Sequence, residues 1–208
     1  MVPQKLLEKH YLEYSTRSND RIKDRERAKK SIVRQVLSKM NFKIRNENIK
    51  IVVLGASDER YISVHRRIFE EILRCSIDIV TLDIDTKHLG GESKTVISHD
   101  VTKPFPNVFY DIVFSHELMK FLSPNERLAV IRNSYEAIGD GGIAMHVLHE
   151  PSIKGTSELR PWQNRVDPND LIKKLKDIGI FATKLEFDSD TDIDWARKTT
   201  VIVLSKIE

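Results

Sequence analysis

The sequence has only one cysteine, Cys75, so the chain cannot form an internal disulfide. No apolar run approaches the roughly 20 residues that a membrane-spanning helix needs. The first ten residues, MVPQKLLEKH, lack the apolar stretch of a signal peptide. These absences lead us to expect a cytoplasmic protein that does not act at a membrane. Cys75 ends an apolar helical pattern without a paired histidine signature, which favours packing over a role as nucleophile.

Charge of one sign is concentrated at one end of the chain. Residues 16–50 hold 12 Lys+Arg and 4 Asp+Glu, a net charge of +8, whereas residues 51–208 hold 20 and 25, a net of −5. Such asymmetry is typical of a segment that binds RNA or another polyanion. It is also typical of a solvated helix that packs on an acidic body. We favour the packed helix, because the basic residues are not interleaved with aromatic ones.

Apolar periodicity predicts two N-terminal helices and then a regular alternation of strands and helices. The helices are expected over residues 4–15 and 20–40, and then from about 62, 123 and 168. The strands are expected over 49–54, 77–82, 95–98, 111–114, 142–148, 180–187 and 199–205. Alternation indicates an α/β fold with a doubly wound, mostly parallel seven-stranded sheet. No helix separates the last two strands, so we expect them to form an antiparallel pair at one edge. Residues 1–47 are then an N-terminal helical, basic extension, and residues 48–208 are the α/β domain.

Several helix ends carry local signals. Ser123, followed by proline and then by Glu126, has the pattern of a capping box, and Gly139 is expected to stop that helix in a left-handed conformation. Asp167 is expected to begin the last helix and Gly179 to end it. We expect polar connections over residues 149–166 and an acidic loop over residues 188–194.

Ligands of open parallel sheets bind outside the carboxyl ends of the strands, so the residues at those ends are the candidates for a site. Small or acidic residues follow the first three strands, and histidines with acids follow the next two. A carboxylate after the second strand can accept both ribose hydroxyls, and one after the third can accept from an adenine amino group. The pattern favours an adenosine ligand. The residues are Gly55-Ala56-Ser57-Asp58, Asp83 and Asp85, Asp100-Val101, Ser115-His116-Glu117, and His146, His149 and Glu150.

The block from Asp100 to Leu148 resembles the class I S-adenosylmethionine-dependent methyltransferases. It has an acid where that family binds adenine, a strand that begins Tyr110-Asp111, a capped helix, and the pair Gly141-Gly142 opening the fifth strand. The late antiparallel strand pair also fits, and the likeness covers about residues 48–206. The resemblance implies a Rossmann-like methyltransferase domain over residues 48–208. Its cofactor is then S-adenosylmethionine and its activity the transfer of a methyl group.

The same resemblance implies roles for individual residues. Asp83 would hold the ribose, Asp100 the adenine and Gly55 the methionine end of the cofactor. The predicted cofactor-binding set is Gly55, Ala56, Ser57, Asp83, Ile84, Asp100, Val101 and Ser115. The structural alternatives are that Asp83 caps its own loop, with Asp85 as the ligand instead, and that Asp100 forms a turn before Thr102.

The sequence departs from the family pattern in two places. The acid before the first glycine and the two glycines after it are replaced by Val53, Ser57 and Glu59. Ser57 and Asp58 are the local candidates to replace the missing glycines. After the fourth strand the chain reads Ser-His-Glu-Leu instead of the Asn/Asp-Pro-Pro-aromatic motif, so amino-group methylation of that type is not supported.

His116 and Glu117 are the predicted catalytic residues. The ordinary pKa of histidine lies near neutrality, so His116 can serve as a general base for the acceptor; alternatively it shapes the cofactor pocket. His149 and Glu150 are also placed to face an acceptor, whereas His146 is expected in the core. No histidine or acid pair has the spacing of a recognised metal motif, so no metal is expected.

Two further segments are expected to close over the site. Tyr11, Tyr14 and Arg17 can do so from the N-terminal side, and Arg160 and Trp162 from the segment after the fifth strand.

The acceptor is not legible in the sequence. A small molecule is favoured, and RNA, bound through the basic residues 16–50, is the alternative. A second function class is a module without methyltransferase activity that binds a dinucleotide, coenzyme A or no cofactor, since VVLGASDERY also resembles the start of such Rossmann domains.

Overall fold

The computed structural model describes residues 3–154, 159–160, 162–188 and 198–206. The helices are α1 (Gln4–Ser15), α2 (Asn19–Lys39), α3 (Arg60–Leu73), α4 (Pro124–Ala137), α5 (Glu150–Lys154) and α6 (Pro168–Asp177). The strands are β1 (Asn48–Leu54), β2 (Ser76–Asp83), β3 (Val96–Ser98), β4 (Tyr110–His116), β5 (Ile138–His149), β6 (Ala182–Asp188) and β7 (Lys198–Ser205). Within the described residues, no helix combines the length and the apolar character needed to cross a membrane.

All seven strands belong to one sheet, in the order β3-β2-β1-β4-β5-β7-β6. Strands β1 to β5 are parallel to one another, and β7 lies antiparallel between β5 and β6. The predicted α/β fold and the antiparallel C-terminal pair are both confirmed. After β1 the chain builds outwards to β2 and β3 on one side, and it then returns to place β4 and β5 on the other. This reversal creates a crevice at the carboxyl ends of β1 and β4, where open α/β sheets bind ligands.

Two apolar layers cover the two faces of the sheet. On one face, α2 and α3 pack against β1 and β4, with Val33, Val36, Phe69 and Phe114 fully buried. On the other face, α4 and α6 cover the sheet, and Leu175 of α6 is completely buried there. Helix α2 therefore shares the core of the sheet, although it lies in the predicted extension. The division of the chain at residue 47 stays a prediction.

Ion pairs join the polar side of α2 to α3. The Arg67 guanidinium donates to both carboxylate oxygens of Glu26, at 2.9 and 2.7 Å. The Lys30 ammonium pairs with Glu71. Part of the charge on the basic segment thus has protein partners.

The capping signals of α4 and α6 are confirmed. The Ser123 hydroxyl accepts from the Glu126 N–H, and the Glu126 carboxylate accepts from the Ser123 N–H at 2.8 Å. The Asp167 carboxylate accepts from the first N–H groups of α6. Gly179 follows α6 with a φ of 79°, as predicted.

The prediction for Gly139 is wrong. Helix α4 ends at Ala137, and β5 begins at Ile138, so Gly139 lies in the strand. Ile138 is fully buried and pairs with Tyr110 of β4, which draws the chain directly into the sheet. The expected polar connection over residues 149–166 contains the short helix α5, which the sequence does not signal. The expected acidic loop, apart from its first residue, lies outside the described residues.

Candidate functional site

A cavity of about 280 Å³ opens at the carboxyl ends of β1, β2 and β4 and is roofed by α1. It brings together residues that follow four different strands, as the sheet topology requires. Nine of the ten predicted site residues line it. They are Gly55, Ala56, Ser57, Asp83, Ile84, Asp100, Val101, His116 and Glu117.

Ser115 is the predicted residue that does not line the cavity. Its side chain is buried, and its hydroxyl lies 2.8 Å from Nδ1 of His146, its register partner on β5. Successive side chains of a strand point to opposite faces, so Ser115 and its neighbour His116 cannot both face the site. His146 is a fully buried core histidine, as expected, and its Nε2 has no hydrogen-bond partner.

The turn after β1 is shaped by Gly55, which has a φ of 78°. The N–H of Ala56 points back and donates to Asp83 Oδ2 at 2.9 Å. Of the two side chains proposed to replace the missing glycines, only Ser57 lines the cavity, and its hydroxyl lies 3.2 Å from Nε2 of His10. The Asp58 carboxylate instead accepts from the Arg60 guanidinium at 2.8 Å and from the Arg60 N–H at the start of α3.

Asp83 caps its own loop, which is one of the two roles that the sequence left open, and it also lines the cavity. Its two oxygens accept from the N–H groups of Ala56 and Asp85, so it organises the loops after β1 and β2. Burial raises the pKa of its carboxyl, and these two N–H groups counteract the effect. A carboxylate has about four acceptor positions, so Asp83 retains capacity to bind hydroxyl groups of a ligand.

Asp100 also forms part of a turn. Its Oδ1 accepts from the N–H and the hydroxyl of Thr102, at 3.0 and 2.7 Å. Beside it, Val101 lines the cavity together with Ile84, an aliphatic side chain that is 41% exposed. Exposed apolar side chains next to a carboxylate suit a flat, largely apolar ring that carries a hydrogen-bond donor.

Helix α1 forms the roof. Tyr11 and Tyr14 line the cavity from this helix, and Arg17 lines it from the turn that follows, as expected. The Tyr11 ring stacks on His88, with centroids 3.5 Å apart. His88 in turn donates from Nε2 to the Ala56 carbonyl at 2.6 Å. The contact ties the roof to the turn after β1. Sequence reasoning missed His88, because a histidine in a polar loop carries no signal of its partners.

The segment after β5 contributes to the same roof. Arg160 lines the cavity and forms an ion pair with Glu13 of α1. The ring of Trp162 lies 5.6 Å from that of Phe121 and 6.0 Å from that of His10.

His116 lies against His149 at the inner wall. Their Nε2 atoms are 3.0 Å apart, and His149 Nδ1 lies 3.0 Å from the Thr199 hydroxyl. Burial, together with the positive charges of Lys29, His149 and Arg25, holds the pKa of His116 well below its usual value. His116 is therefore neutral at pH 7 and can accept a proton.

Glu117 is fixed by its neighbours, although it lines the cavity. Its carboxylate accepts from the His149 N–H at 2.7 Å and from Lys120 Nζ and the Ser152 hydroxyl at 2.6 Å. Burial raises the pKa of Glu117 and is the largest single effect, but the Lys120 charge, the neighbouring His149 and the hydrogen bonds from Lys120 and Ser152 together outweigh it, so the pKa is lowered. The side chain is an ionised structural anchor for the loop after β4. Glu150 pairs with Lys154 and is not among the lining residues.

A group of residues from α2 and α3 lines the cavity without having been predicted to do so. Arg25, Lys29, Tyr61 and His65 belong to it. The sequence does hold a signal. Residues 22, 25, 29, 32 and 36 fall on one stripe of a helix, and Ile22, Ile32 and Val36 are buried. Arg25 and Lys29 therefore face inwards, not towards solvent.

No protein-family model matches the sequence, and no curated protein matches it either. Solved structures do match the fold. A TehB-like S-adenosylmethionine-dependent methyltransferase from Corynebacterium glutamicum aligns with a TM-score of 0.53 and 16% identity, over 83% of this chain and 86% of that chain. An S-adenosylmethionine-dependent methyltransferase from Clostridium acetobutylicum gives a TM-score of 0.58 at 8% identity, over 88% and 92%.

Magnesium protoporphyrin IX methyltransferase from Synechocystis, solved with bound S-adenosylmethionine, aligns with a TM-score of 0.55 and 13% identity. That alignment covers 91% of this chain and 85% of the other. The chain therefore has the fold of the class I S-adenosylmethionine-dependent methyltransferases, as the sequence resemblance predicts. Structural matches at such low sequence identity show the fold alone, and they do not show which reaction the protein catalyses.

Proposed function

We propose that this protein is an S-adenosylmethionine-dependent methyltransferase that acts on a small molecule. One observation carries the proposal. A single cavity, at the carboxyl edge of a sheet of this topology, holds a glycine turn after β1, Asp83 after β2 and Asp100 after β3. That is the set of groups suited to an adenosine ligand.

The residues present fit the cofactor. The free acceptor positions of Asp83 suit the ribose hydroxyls, and Asp100 suits the amino group of adenine. Ile84 and Val101 offer apolar contacts to the ring. A Cβ at Gly55 would lie 3.6 Å from Leu118 and 3.9 Å from the Asp83 carboxylate, so the missing side chain keeps this corner open. When bound, S-adenosylmethionine supplies a methyl group on a positively charged sulfur, ready for direct displacement.

The protein's own work is to align the acceptor and exclude water. We assign to His116 the removal of a proton from an acceptor that must lose one. In that arrangement His116 Nε2–H donates to His149 Nε2, and His149 Nδ1–H donates to Thr199. Nδ1 of His116 is then the proton acceptor. Glu117 holds the backbone of His149 and thus positions this pair.

The roof supports a small acceptor over RNA. Helix α1, with Tyr11, Tyr14 and Arg17, covers the cavity, and part of the basic segment is paired with α3. RNA remains the alternative acceptor. Titration with tRNA at low and high salt tests it, since binding through phosphates weakens steeply as salt rises. An absent or salt-independent interaction counts against RNA.

Isothermal titration calorimetry with S-adenosylhomocysteine, NAD and coenzyme A tests the cofactor assignment. We expect binding of the first alone. Asp83→Ala should lose that binding, and Asp83→Asn, which keeps one acceptor oxygen for the loops, should weaken it about tenfold or more. Asp78→Asn, at an exposed position of the same strand, is the matched control.

The alternative is a Rossmann-like module without methyltransferase activity, and the same titration separates it from our proposal. Heat on adding NAD or coenzyme A instead would favour that alternative. An absence of S-adenosylhomocysteine binding at millimolar concentration would overturn the proposal.

A further inference from the structure

Five residues form a basic pocket at one end of the cavity. They are Arg17, Arg25, Lys29, Tyr61 and His65, and all of them line the cavity. Lys29, Tyr61 and His65 are almost completely buried. Lys29 Nζ lies 2.9 Å from His65 Nε2 and 4.1 Å from the centre of the Tyr61 ring. The Arg17 and Arg25 guanidiniums lie 3.3 and 5.7 Å from the centre of the Tyr14 ring.

The carboxylates near the basic pocket are engaged by other side chains. Glu26, whose charge acts on Lys29, is paired with Arg67. Glu117 and Glu13, two of the carboxylates in the cavity, are engaged by Lys120 and Arg160. The other two, Asp83 and Asp100, stand after β2 and β3. Within the part of the chain that the structure describes, neither Arg17 nor Lys29 forms an ion pair with a carboxylate. Lys29 is buried and Arg17 is half-buried, so an anion from outside the chain would stabilise the charged form of both side chains.

The pocket also holds polar atoms without partners. Arg17 Nη1, the Tyr61 hydroxyl and His65 Nδ1 are buried and have no partner within ordinary hydrogen-bond distance, although the Arg17 guanidinium faces the Tyr61 hydroxyl and acts against the burial that raises its pKa. Tyr61 is 3% exposed, so its hydroxyl cannot obtain a partner from bulk solvent. Unsatisfied buried groups are uncommon in folded proteins and require an explanation. A ligand that accepts hydrogen bonds would satisfy the Arg17 and Tyr61 donors.

The basic pocket adjoins the proposed proton acceptor. The charges of Lys29 and Arg25 act on His116, which places them within electrostatic reach of its ring. Burial also lowers the pKa of Lys29 to about 7, and a bound anion would favour its charged form.

From this geometry we infer that the acceptor carries a carboxylate or a phosphate, which binds in the basic pocket and presents the methylated atom to His116. The inference rests on the proposed function, because it names the class of acceptor. Arginine, lysine and tyrosine are the donors that suit such anionic oxygens.

Binding to the protein saturated with S-adenosylhomocysteine tests the inference, with three aryl probes. Benzoate represents a carboxylate, phenyl phosphate represents a phosphate monoester, and benzamide is the uncharged control. We expect benzoate or phenyl phosphate to bind at least about tenfold more tightly than benzamide. The tighter of the two anions identifies the group.

Variants of the basic pocket test whether the anion binds there. Lys29→Met and Tyr61→Phe should each weaken the binding of the anion. The loss of affinity in Lys29→Met should be about tenfold or more. Tyr61→Phe removes only a hydroxyl that has no partner within ordinary hydrogen-bond distance, so its folding is expected to be intact even if Lys29→Met is unstable. Arg34→Gln, at an exposed position of α2, is the matched control and should change nothing.

The titrations distinguish this inference from the proposed function. Two outcomes would overturn the inference alone when S-adenosylhomocysteine binds. In the first, the anions bind no more tightly than benzamide. In the second, the Tyr61→Phe and Lys29→Met variants bind the anions as tightly as the wild type does. If S-adenosylhomocysteine does not bind, the proposed function is overturned, and the anion is no longer assigned as a methyl acceptor. Binding of the anions through these residues to the protein without S-adenosylhomocysteine would then still establish the basic pocket as an anion site.

Discussion

Nε2 of His116 and Nε2 of His149 face each other at 3.0 Å in the wall of the cavity. Two ring nitrogens at this distance share one proton, since one must donate and the other accept. A second proton would place two cations in contact, close to Lys29 and Arg25. Burial is the main cause of the low pKa of both rings, and these charges add to it. The pair is therefore built to stay neutral.

We predict that both rings remain neutral at pH 6. The pKa of His149 is lowered to about 4, and that of His116 lies well below 6.5. Correlation NMR of the ring nitrogens measures both directly. In His149→Gln the pKa of His116 should rise, because protonated His116 no longer faces a second ring that can itself become positively charged, yet stay below 6.5, because burial persists. Titration of wild-type His116 near 6.5 would contradict this prediction.

His146 should make the protein acid-labile. Its pKa is lowered from 6.5 to about 3 by burial, so the unfolded chain binds a proton below pH 6.5 that the folded chain refuses. Stability then rises with pH across this window and falls as pH drops. Between pH 6.5 and pH 5 this one group removes about 2 kcal/mol from the free energy of unfolding.

Urea denaturation at pH 7 and pH 5 checks this effect against His146→Gln, which cannot titrate. The variant has its own stability at pH 7, so the quantity compared is the loss between the two pH values. The wild type should lose about 2 kcal/mol more than the variant. Equal losses in the two proteins would show that His146 does not contribute.

The fold was largely legible in the sequence, because its strands are short apolar runs buried on both faces. Ile51–Leu54 of β1 is the clearest case, with every side chain almost completely buried. The acidic residues suited to an adenosine ligand could be predicted from the topology, because neighbouring parallel strands end at the same edge of the sheet. Asp83 and Asp100 both line the cavity, as this rule predicts.

Other features depend on three-dimensional packing that local patterns do not carry. Arg25 and Lys29 belong to a nearly all-polar stretch, and only their register with buried apolar residues turns them inwards. Ser115 follows the right strand but points to the wrong face. Asp58 lies in the predicted turn, but its carboxylate accepts hydrogen bonds from Arg60 and does not line the cavity. In each case the side chain's direction, not its type, decided the outcome.

Gly142 should tolerate no side chain, in contrast to Gly139 of the same strand. A Cβ on Gly142 would lie 2.8 Å from the backbone oxygens of both Gly139 and Tyr110, where β5 shifts register against β4. A Cβ on Gly139 would meet its nearest atom at 3.5 Å, an ordinary contact. Gly142→Ala should therefore destabilise the protein by about 1–3 kcal/mol, and Gly139→Ala by much less. Thermal or urea unfolding of the two variants compares them directly, and equal destabilisation would contradict this reading of the strand.

Arg60 should hold the roof of the cavity in place. Its guanidinium donates to both oxygens of the buried Asp58 carboxylate at 2.8 Å, and also to the carbonyls of Tyr14 and Arg17 at 3.1 and 2.8 Å. Leu7 is the one apolar side chain of α1 that is buried among its described residues. The helix thus depends on such polar ties more than on a core of its own. We predict that Arg60→Gln speeds hydrogen–deuterium exchange across residues 4–15 by about tenfold or more.

The control for Arg60 lies on the same helix. Arg67→Gln also removes an arginine–carboxylate pair, but that pair joins α3 to α2 and does not touch α1. Its exchange over residues 4–15 should match the wild type. Because Arg60→Gln also leaves the Asp58 carboxylate buried without its partner, the double variant with Asp58→Asn separates the two effects. If exchange in α1 is fast in the double variant too, the ties to the Tyr14 and Arg17 carbonyls are what hold the roof; if it returns to the wild-type rate, the unpaired carboxylate was the cause.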